Sequence, residues 1–487
     1  MHGVSLAMPG TGTPPVPPAA PLPEPVASPT RSVRVRDPYI VAVVLFCAYA
    51  ALSISRYLRL RTMSWDLGIF EQVIRAYAQL EAPVADLKGP GVNILGDHFS
   101  PVVALLAPAY RLFPTPVTLL VAQAALFALS AIPVTRVAAR LLGRWHGLAI
   151  GVGYGLSWGV QRAVEFDFHE IAFAVPLIAF ALEALLTGRW RAALCWALPL
   201  VLVKEDLGLT AAAIALVVAV RARRTAPRVV PDALAVAALA VVAAVLTFAF
   251  VIPAFNSGDT YDYWVKVQGG AGPLDGFDVK FRTLLWILLP TAGLLAPRSP
   301  LILIALPTLG WRFLSSEDHY WGTGWHYNAV LMPIVTLALV DAIERVRSSP
   351  RSWLRSYAHH LPAAVAAAAL ALTTSLPLSA LTEPDTYRVR PEVRSVKRLL
   401  DRIPDDATVE ANVGPISLLT SRCRVFWVGD TRGITPDYIA LNNTTRWVSD
   451  PLAYAKRLHP QATYTLTGDV GGYLVLERAS ERATGAE

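Results

Sequence analysis

The chain has 487 residues, 54% of them hydrophobic and only 16% charged, against about 25% charged in a soluble protein. With repeated apolar stretches long enough to cross a bilayer, that balance excludes a soluble domain and predicts a polytopic membrane protein. The net charge of +7 is no nucleic-acid signal, because the arginines fall in short clusters between apolar segments, and Cys47, Cys195 and Cys423 have neither disulfide-framework nor zinc spacing.

Residues 1–30 hold nine prolines and almost no charge, so residues 1–36 are expected to form a disordered cytoplasmic tail. The apolar run from Tyr39 lies too far in for an ordinary signal peptide and should stay as an anchor. Spans are expected at 38–55, 116–135, 147–164, 171–187, 192–203, 207–220, 233–254, 282–297, 300–314, 328–344 and 361–380, about eleven helices in all. Arginine clusters follow every even-numbered span, so one alternating topology puts them all in the cytoplasm. The N-terminus is then cytoplasmic and the protein sits in the plasma membrane.

Two stretches need a choice. Residues 101–113 are apolar but too short to span, and are expected as a helix lying at or dipping into the outer surface. Residues 192–220 are interrupted by Lys204-Glu205-Asp206, which predicts two short helices meeting at that triplet. On this reading residues 37–380 form the transmembrane domain, with outer loops at 56–115, 256–281 and 315–327. Residues 381–487 read as a small extracytoplasmic α/β domain, with an amphipathic helix at 391–402 and strands at 407–411, 423–428, 437–441, 462–466 and 472–476.

The polar stretches gather on the outer side of this topology. Asp66 follows the first span, where it either N-caps a helix at 67–80 or offers a carboxylate to a site. Glu71 and Arg75 suit an ordinary helical ion pair. Asp97-His98 precede the short apolar helix, closing a turn or joining the site. In an extended segment Glu165, Asp167 and His169 would project from one side, with Glu170 next to them. Two carboxylates and an imidazole suit acid–base work or a divalent cation, and a polar turn is the plainer alternative. Lys204, Glu205 and Asp206 lie between apolar runs of 12 and 14 residues, where ionisable groups face a cavity or one another. Tyr261-Asp262-Tyr263-Trp264 forms a further polar, aromatic stretch in the 256–281 loop. The run from Trp311 to Asn328 holds Arg312, Trp321, Trp325, His326 and Tyr327; it is either an interfacial aromatic belt or a surface for a sugar ring and a phosphate. Asp66, His98, His169, Glu170, Glu205 and His326 are expected around one cavity.

"SWDLGIFEQ", "GDHFSPVVALLAPAYRL", "FDFHEIAFAVPL", "LVKEDLGL" and "YWGTGWHYNAVLMPI" together resemble the bacterial membrane protein family Domain of Unknown Function 2079, over roughly residues 40–345. More remotely, the layout is similar to GT-C glycosyltransferases, in which an acidic residue just after the first span stands in a large first outer loop. That similarity implies sugar transfer outside the cytoplasm from a polyprenyl-phosphate donor. Asp66 holds the matching place, as a single acid rather than the Asp-Asp or Asp-Glu pair of several such families. It implies Asp66 as catalytic base, Lys204 and Arg312 as phosphate-binding, and Asp97, His98, Glu165, Asp167, His169 and Glu170 as acid–base or metal candidates. Glu205, Asp206, Trp321, Trp325, His326 and Tyr327 are the substrate-binding candidates, and a divalent metal ion is the candidate cofactor. The expected partners are the lipid bilayer and a polyprenyl-phosphate-linked sugar. A transporter or lipid flippase is the alternative, to be distinguished by a midplane cavity between pseudo-symmetric halves.

Overall fold

The computed structural model describes residues 2–4, 36–256, 272 and 274–479. Most of the proline-rich segment, and the Tyr261–Trp264 stretch with most of its loop, lie outside the described residues.

Three described helices are long and apolar enough to cross a membrane: Asp37–Leu58, Pro116–Leu142 and Pro227–Phe255. The others are shorter or broken, so the expected count of eleven is not met by eleven long rods. The predicted span at 147–164 divides into helices Arg144–Gly155 and Trp158–Glu165. Residues 192–220 do split at the charged triplet, into Trp190–Ala197 continued by the 3-10 turn Leu198–Leu202, then Leu207–Thr225. Residues 101–113 form a 3-10 turn, Pro101–Leu106, and a short helix, Ala107–Leu112.

The bundle is built on close approach. Asp37–Leu58 packs along Pro116–Leu142, which also packs on Arg144–Gly155 and Ile171–Leu186. Gly155 lies where a β-carbon would strike Leu45, and Gly151 where it would strike Thr135. Small residues at such crossings let helices touch where no hydrophobic drive separates them from lipid. Leu331–Val346 is buried almost all round and forms the bundle's centre.

All five predicted strands are present: β1 Thr408–Ala411, β2 Arg424–Trp427, β3 Tyr438–Asn442, β4 Tyr464–Val470 and β5 Tyr473–Arg478. They form one mixed sheet in the order β2-β1-β3-β5-β4. β1 is parallel to β2 and β3, whereas β5 runs antiparallel to β3 and to β4. The amphipathic helix Pro391–Leu400 covers it with Val396, Leu399 and Leu400.

The sheet shares its core with the helix Trp65–Gln79, the first after the Asp37–Leu58 span. Leu67, Phe70 and Ile74 of that helix join Val396, Leu400, Ile416 and Val425 in one apolar cluster. Gly68 permits the contact, since a β-carbon there would lie 2.4 Å from Ile416 and 2.8 Å from Leu87. Glu71 is fully buried in this joint, accepting from the Tyr110 hydroxyl at 2.9 Å and the Thr420 hydroxyl at 2.5 Å. The Arg75 guanidinium instead donates to the carbonyls of Thr420 and Cys423 at 3.2 and 3.0 Å.

Candidate functional site

The Trp65–Gln79 helix starts under strain. Ser64, at its N-cap, has φ +57, a left-handed conformation that costs a non-glycine residue about 1–2 kcal/mol. Two partners hold it there. The Ser64 amide donates to Asp167 at 3.0 Å, and its hydroxyl accepts from the Gly414 amide at 2.9 Å. Asp66 is therefore not the cap. It sits in the helix's first turn, where the helix dipole favours a carboxylate, and its side chain is left for the cavity below.

That cavity has a volume of about 590 Å³. Its polar side carries Asp66, Lys88, Asp97, His98, His169, Glu170, Lys204, Glu205, Asp206, Tyr320, His326 and Tyr327. Leu209, Phe248, Leu306, Pro307 and Leu314 give it an apolar side, with Trp65 and Trp311 also in the wall. Phe248 belongs to a π-helical turn, Thr247–Val251, a distortion frequent at functional sites. The wall is made by the ends of helices and the loops beyond them, at one end of the bundle.

The charges alternate around the wall. Asp66 Oδ2 lies 3.4 Å from His169 Nε2, Lys88 Nζ 3.1 Å from Asp97, and Lys204 Nζ 3.1 Å from Glu170. His98 Nδ1 is 2.9 Å from Glu205, whose other oxygen accepts from the Phe99 amide at 3.2 Å. The buried Asp206 Oδ1 has no hydrogen-bond partner. Burial raises the Asp66 carboxyl, but His169, with smaller help from Lys88 and His98, more than offsets this and holds it below the usual range. Asp66 is accordingly ionised at neutral pH.

Two histidines stack beneath this carboxylate. The rings of His169 and His326 lie 3.6 Å apart, with Phe166 packed on both. Burial, then His169 and Lys204, hold His326 well below the ordinary histidine range, so it stacks as a neutral ring. With His169 Nε2 turned to Asp66, the His169 Nδ1 and the His326 Nδ1 are buried without a hydrogen-bond partner. Buried polar atoms of this kind ask for a water or a ligand.

Five expected site residues lie elsewhere. Glu165 ends the helix Trp158–Glu165 and turns away to Arg56 at 3.4 Å and Arg162 at 2.9 Å. Asp167, at φ +64, bonds Ser64 instead of facing His169, because the segment is a turn and not the extended strand that would align them. Burial raises its carboxyl to about 6. Arg312 is fully buried and does not line the cavity. Its donors go to the carbonyls of Tyr320 and Gly322 and to the Asn328 side chain, at 2.8, 2.9 and 2.9 Å. Arg312 thus folds the 315–328 loop, and no donor is aimed at a phosphate. Trp321 is buried over Lys280, 4.3 Å from ring centre to Nζ, and bonds the Ser315 carbonyl. Trp325 packs edge-on against Phe166.

Lys88, Trp65 and Tyr320 line the cavity without having been singled out by sequence. Lys88 had a usable signal, as a lysine in an outer loop against the arginine bias. Among the described residues no group of three or more His, Cys, Asp or Glu side chains converges to hold a metal. Asp66, Asp97, Glu170 and Glu205 each face a basic side chain, and the chemistry below is argued from these side chains.

A family model for a predicted membrane protein (DUF2079) matches residues 56–465. The chain belongs to that family. The DUF2079 match runs past residue 345 and takes in β1, β2 and β3 of the C-terminal sheet. Among curated protein sequences none matches. A crystal structure of ArnT from Cupriavidus metallidurans bound to undecaprenyl phosphate is similar, with TM-score 0.55 and 14% identity, covering 91% of this chain and 99% of that one. The apo ArnT structure gives TM-score 0.49 and 13% identity, over 89% and 97%. The likeness to the first is one of fold: this DUF2079 protein is a membrane protein with an ArnT-like helical bundle and a small C-terminal sheet.

Proposed function

We propose that this protein transfers a sugar from a polyprenyl-phosphate carrier to an acceptor hydroxyl outside the cytoplasm, with Asp66 as the base. The observation that carries the reading is the cavity's division into two sides. A charged, aromatic side containing Asp66, Lys88 and Lys204 adjoins an apolar side of Leu209, Phe248, Leu306 and Leu314. A lipid-linked sugar has the same division. Its isoprenoid would rest on the apolar side, its phosphate near Lys88 and Lys204, and its ring against Trp65, Trp311, Tyr320 or Tyr327. The fold shared with ArnT supports the carrier class.

In the reaction the acceptor oxygen attacks the anomeric carbon. The carbon–oxygen bond to phosphate breaks, and its electron pair leaves on the polyprenyl phosphate. The acceptor's proton passes to Asp66. A carboxylate held below the usual range is a weak base, which suits an oxocarbenium-like transition state, where the leaving group departs ahead of proton transfer. Lys88 and Lys204 stabilise the charge that develops on the phosphate. His169 acts as a positioning residue, setting the orientation and ionisation of Asp66. The position of the cavity at helix ends, rather than between matched halves at the midplane, favours transfer over transport.

The test is Asp66→Asn in the purified full chain, reconstituted with undecaprenyl-phosphate-linked sugars and candidate acceptors. Asn keeps the shape but takes no proton, so transfer should fall roughly 10²–10⁴-fold with unchanged yield of folded protein. Full activity in this variant would remove Asp66 from the chemistry.

A further inference from the structure

At the end of the bundle away from the candidate site lies a second, smaller pocket of about 170 Å³. Its polar lining is His146, Arg347, Arg355 and His359, and its walls are Leu142, Ile343 and Ala358. It therefore lies where four helices meet: the end of Pro116–Leu142, the start of Arg144–Gly155, the last turn of Leu331–Val346 and the start of Ser352–Thr373. The central helix begins beside the candidate cavity and runs 16 residues to this pocket, about 24 Å at 1.5 Å per residue.

Among the described residues no carboxylate lines the pocket, although several arginines at this end are matched to one. Arg144 pairs with Asp37, Arg136 with Glu183, Arg191 with Asp232, and Arg221 and Arg345 with Asp341. Within the pocket Arg347 has Glu344 on its outer side and donates to the Leu141 carbonyl at 2.8 Å. Arg355 has no acidic partner among the described residues. One of its nitrogens donates to the Ser349 carbonyl at 2.5 Å, leaving the rest of its five N–H donors unspoken for. The His146 and His359 rings meet edge to face at 5.0 Å. His146 is held below the ordinary histidine range by burial first, then by His359 and Arg347, which is what surplus positive charge would do.

The surroundings fix the depth. Trp145, next to His146, is 73% exposed, and Trp353, two residues before Arg355, is 61% exposed. Exposed tryptophans on a membrane bundle mark the headgroup level, where an aromatic body and a polar edge are both accommodated. An apolar-walled pocket with two arginines and two histidines at that depth matches a phosphate attached to acyl chains.

We propose that this pocket binds the phosphate of an anionic phospholipid headgroup in the leaflet opposite the candidate site. Arg355 and His359 supply donors to the phosphate oxygens, Arg347 adds charge, and the acyl chains lie outside along the helices bearing Trp145 and Trp353. The site is independent of any transfer chemistry.

The purified full chain in detergent, given phosphatidylglycerol or phosphatidylcholine and read by native mass spectrometry, tests this. Phosphatidylglycerol should be retained preferentially, and Arg355→Gln should weaken its retention by roughly tenfold or more, the loss expected for a charge-assisted hydrogen bond. Arg355 is exposed and its one bond is to a nearby carbonyl, so this substitution leaves folding intact. Arg191→Gln, at the same end but outside the pocket, should retain the lipid like the wild type. Competition by millimolar inorganic phosphate, lost in Arg355→Gln, would confirm that the phosphate group is what is recognised. Binding of inorganic phosphate with no preference for phosphatidylglycerol would replace the lipid by the free anion and overturn the proposal. Equal retention of both lipids, or wild-type retention by Arg355→Gln, would overturn it too.

Discussion

Replacing Glu71 with glutamine removes a carboxyl buried in the joint between the Trp65–Gln79 helix and the C-terminal sheet, and the consequence depends on pH. Burial is the largest influence on this carboxyl; it outweighs the Thr420 and Tyr110 hydrogen bonds and the Arg75 charge and raises the folded-state value from 4.5 to about 7. A carboxyl raised on folding binds more protons in the folded state than in the open one. Its contribution to stability is therefore complete below about 4.5 and is lost as pH rises through about 7. The interval is worth about 3 kcal/mol at roughly 1.36 kcal/mol per pH unit. That corresponds to roughly a three-hundredfold change in the equilibrium for opening the joint. Hydrogen exchange of the Trp65–Gln79 amides, corrected for intrinsic rates, should rise by up to that factor between pH 5 and 8.5 in the wild type. In Glu71→Gln, whose amide keeps acceptor capacity and cannot ionise, the rise should vanish. The same pH dependence in both proteins would refute the reasoning.

Other consequences follow from single contacts. Gly68→Val should loosen the C-terminal sheet from the Trp65–Gln79 helix by about 1–3 kcal/mol, because its side chain would strike Ile416 and Leu87; faster protease cleavage beyond residue 380 would report it. Arg312→Lys should lower the yield of folded protein without selectively weakening donor binding, since one ammonium cannot reach two carbonyls and an amide held by a planar fork. His169→Gln removes the charge that lowers the Asp66 carboxyl, so the acid limb of a kcat/KM profile for transfer should move to higher pH.

The sequence made some parts of this legible and hid others for physical reasons. The five strands appear near their predicted places because short runs of β-branched and aromatic residues between turn residues mark them, although most are buried continuously rather than in alternation. The break at Lys204-Glu205-Asp206 was visible because three charges cannot sit inside a single apolar span. Asp66, His98, His169, Glu170, Glu205 and His326 line one cavity, and a charge bias between loops was enough to group them. Residues whose role depends on a turn were misread. Ser64 takes the cap position because Asp167 and Gly414 hold it, two partners lying 103 and 350 positions away. Arg312 stands at a helix end like a phosphate ligand, yet the loop that folds back over it takes its donors. The union of the Trp65–Gln79 helix with the sheet rests on Gly68 meeting Ile416, a contact that no local pattern encodes.

The proposed transfer requires a polyprenyl phosphate in the Asp66 cavity. A cryo-electron microscopy structure of the full chain in nanodiscs with undecaprenyl phosphate would settle this directly. The account predicts phosphate density within hydrogen-bond distance of Lys88 or Lys204 and isoprenoid density along Leu209, Phe248 and Leu306. Lipid density at another face of the bundle, with the Asp66 cavity holding none, would contradict it.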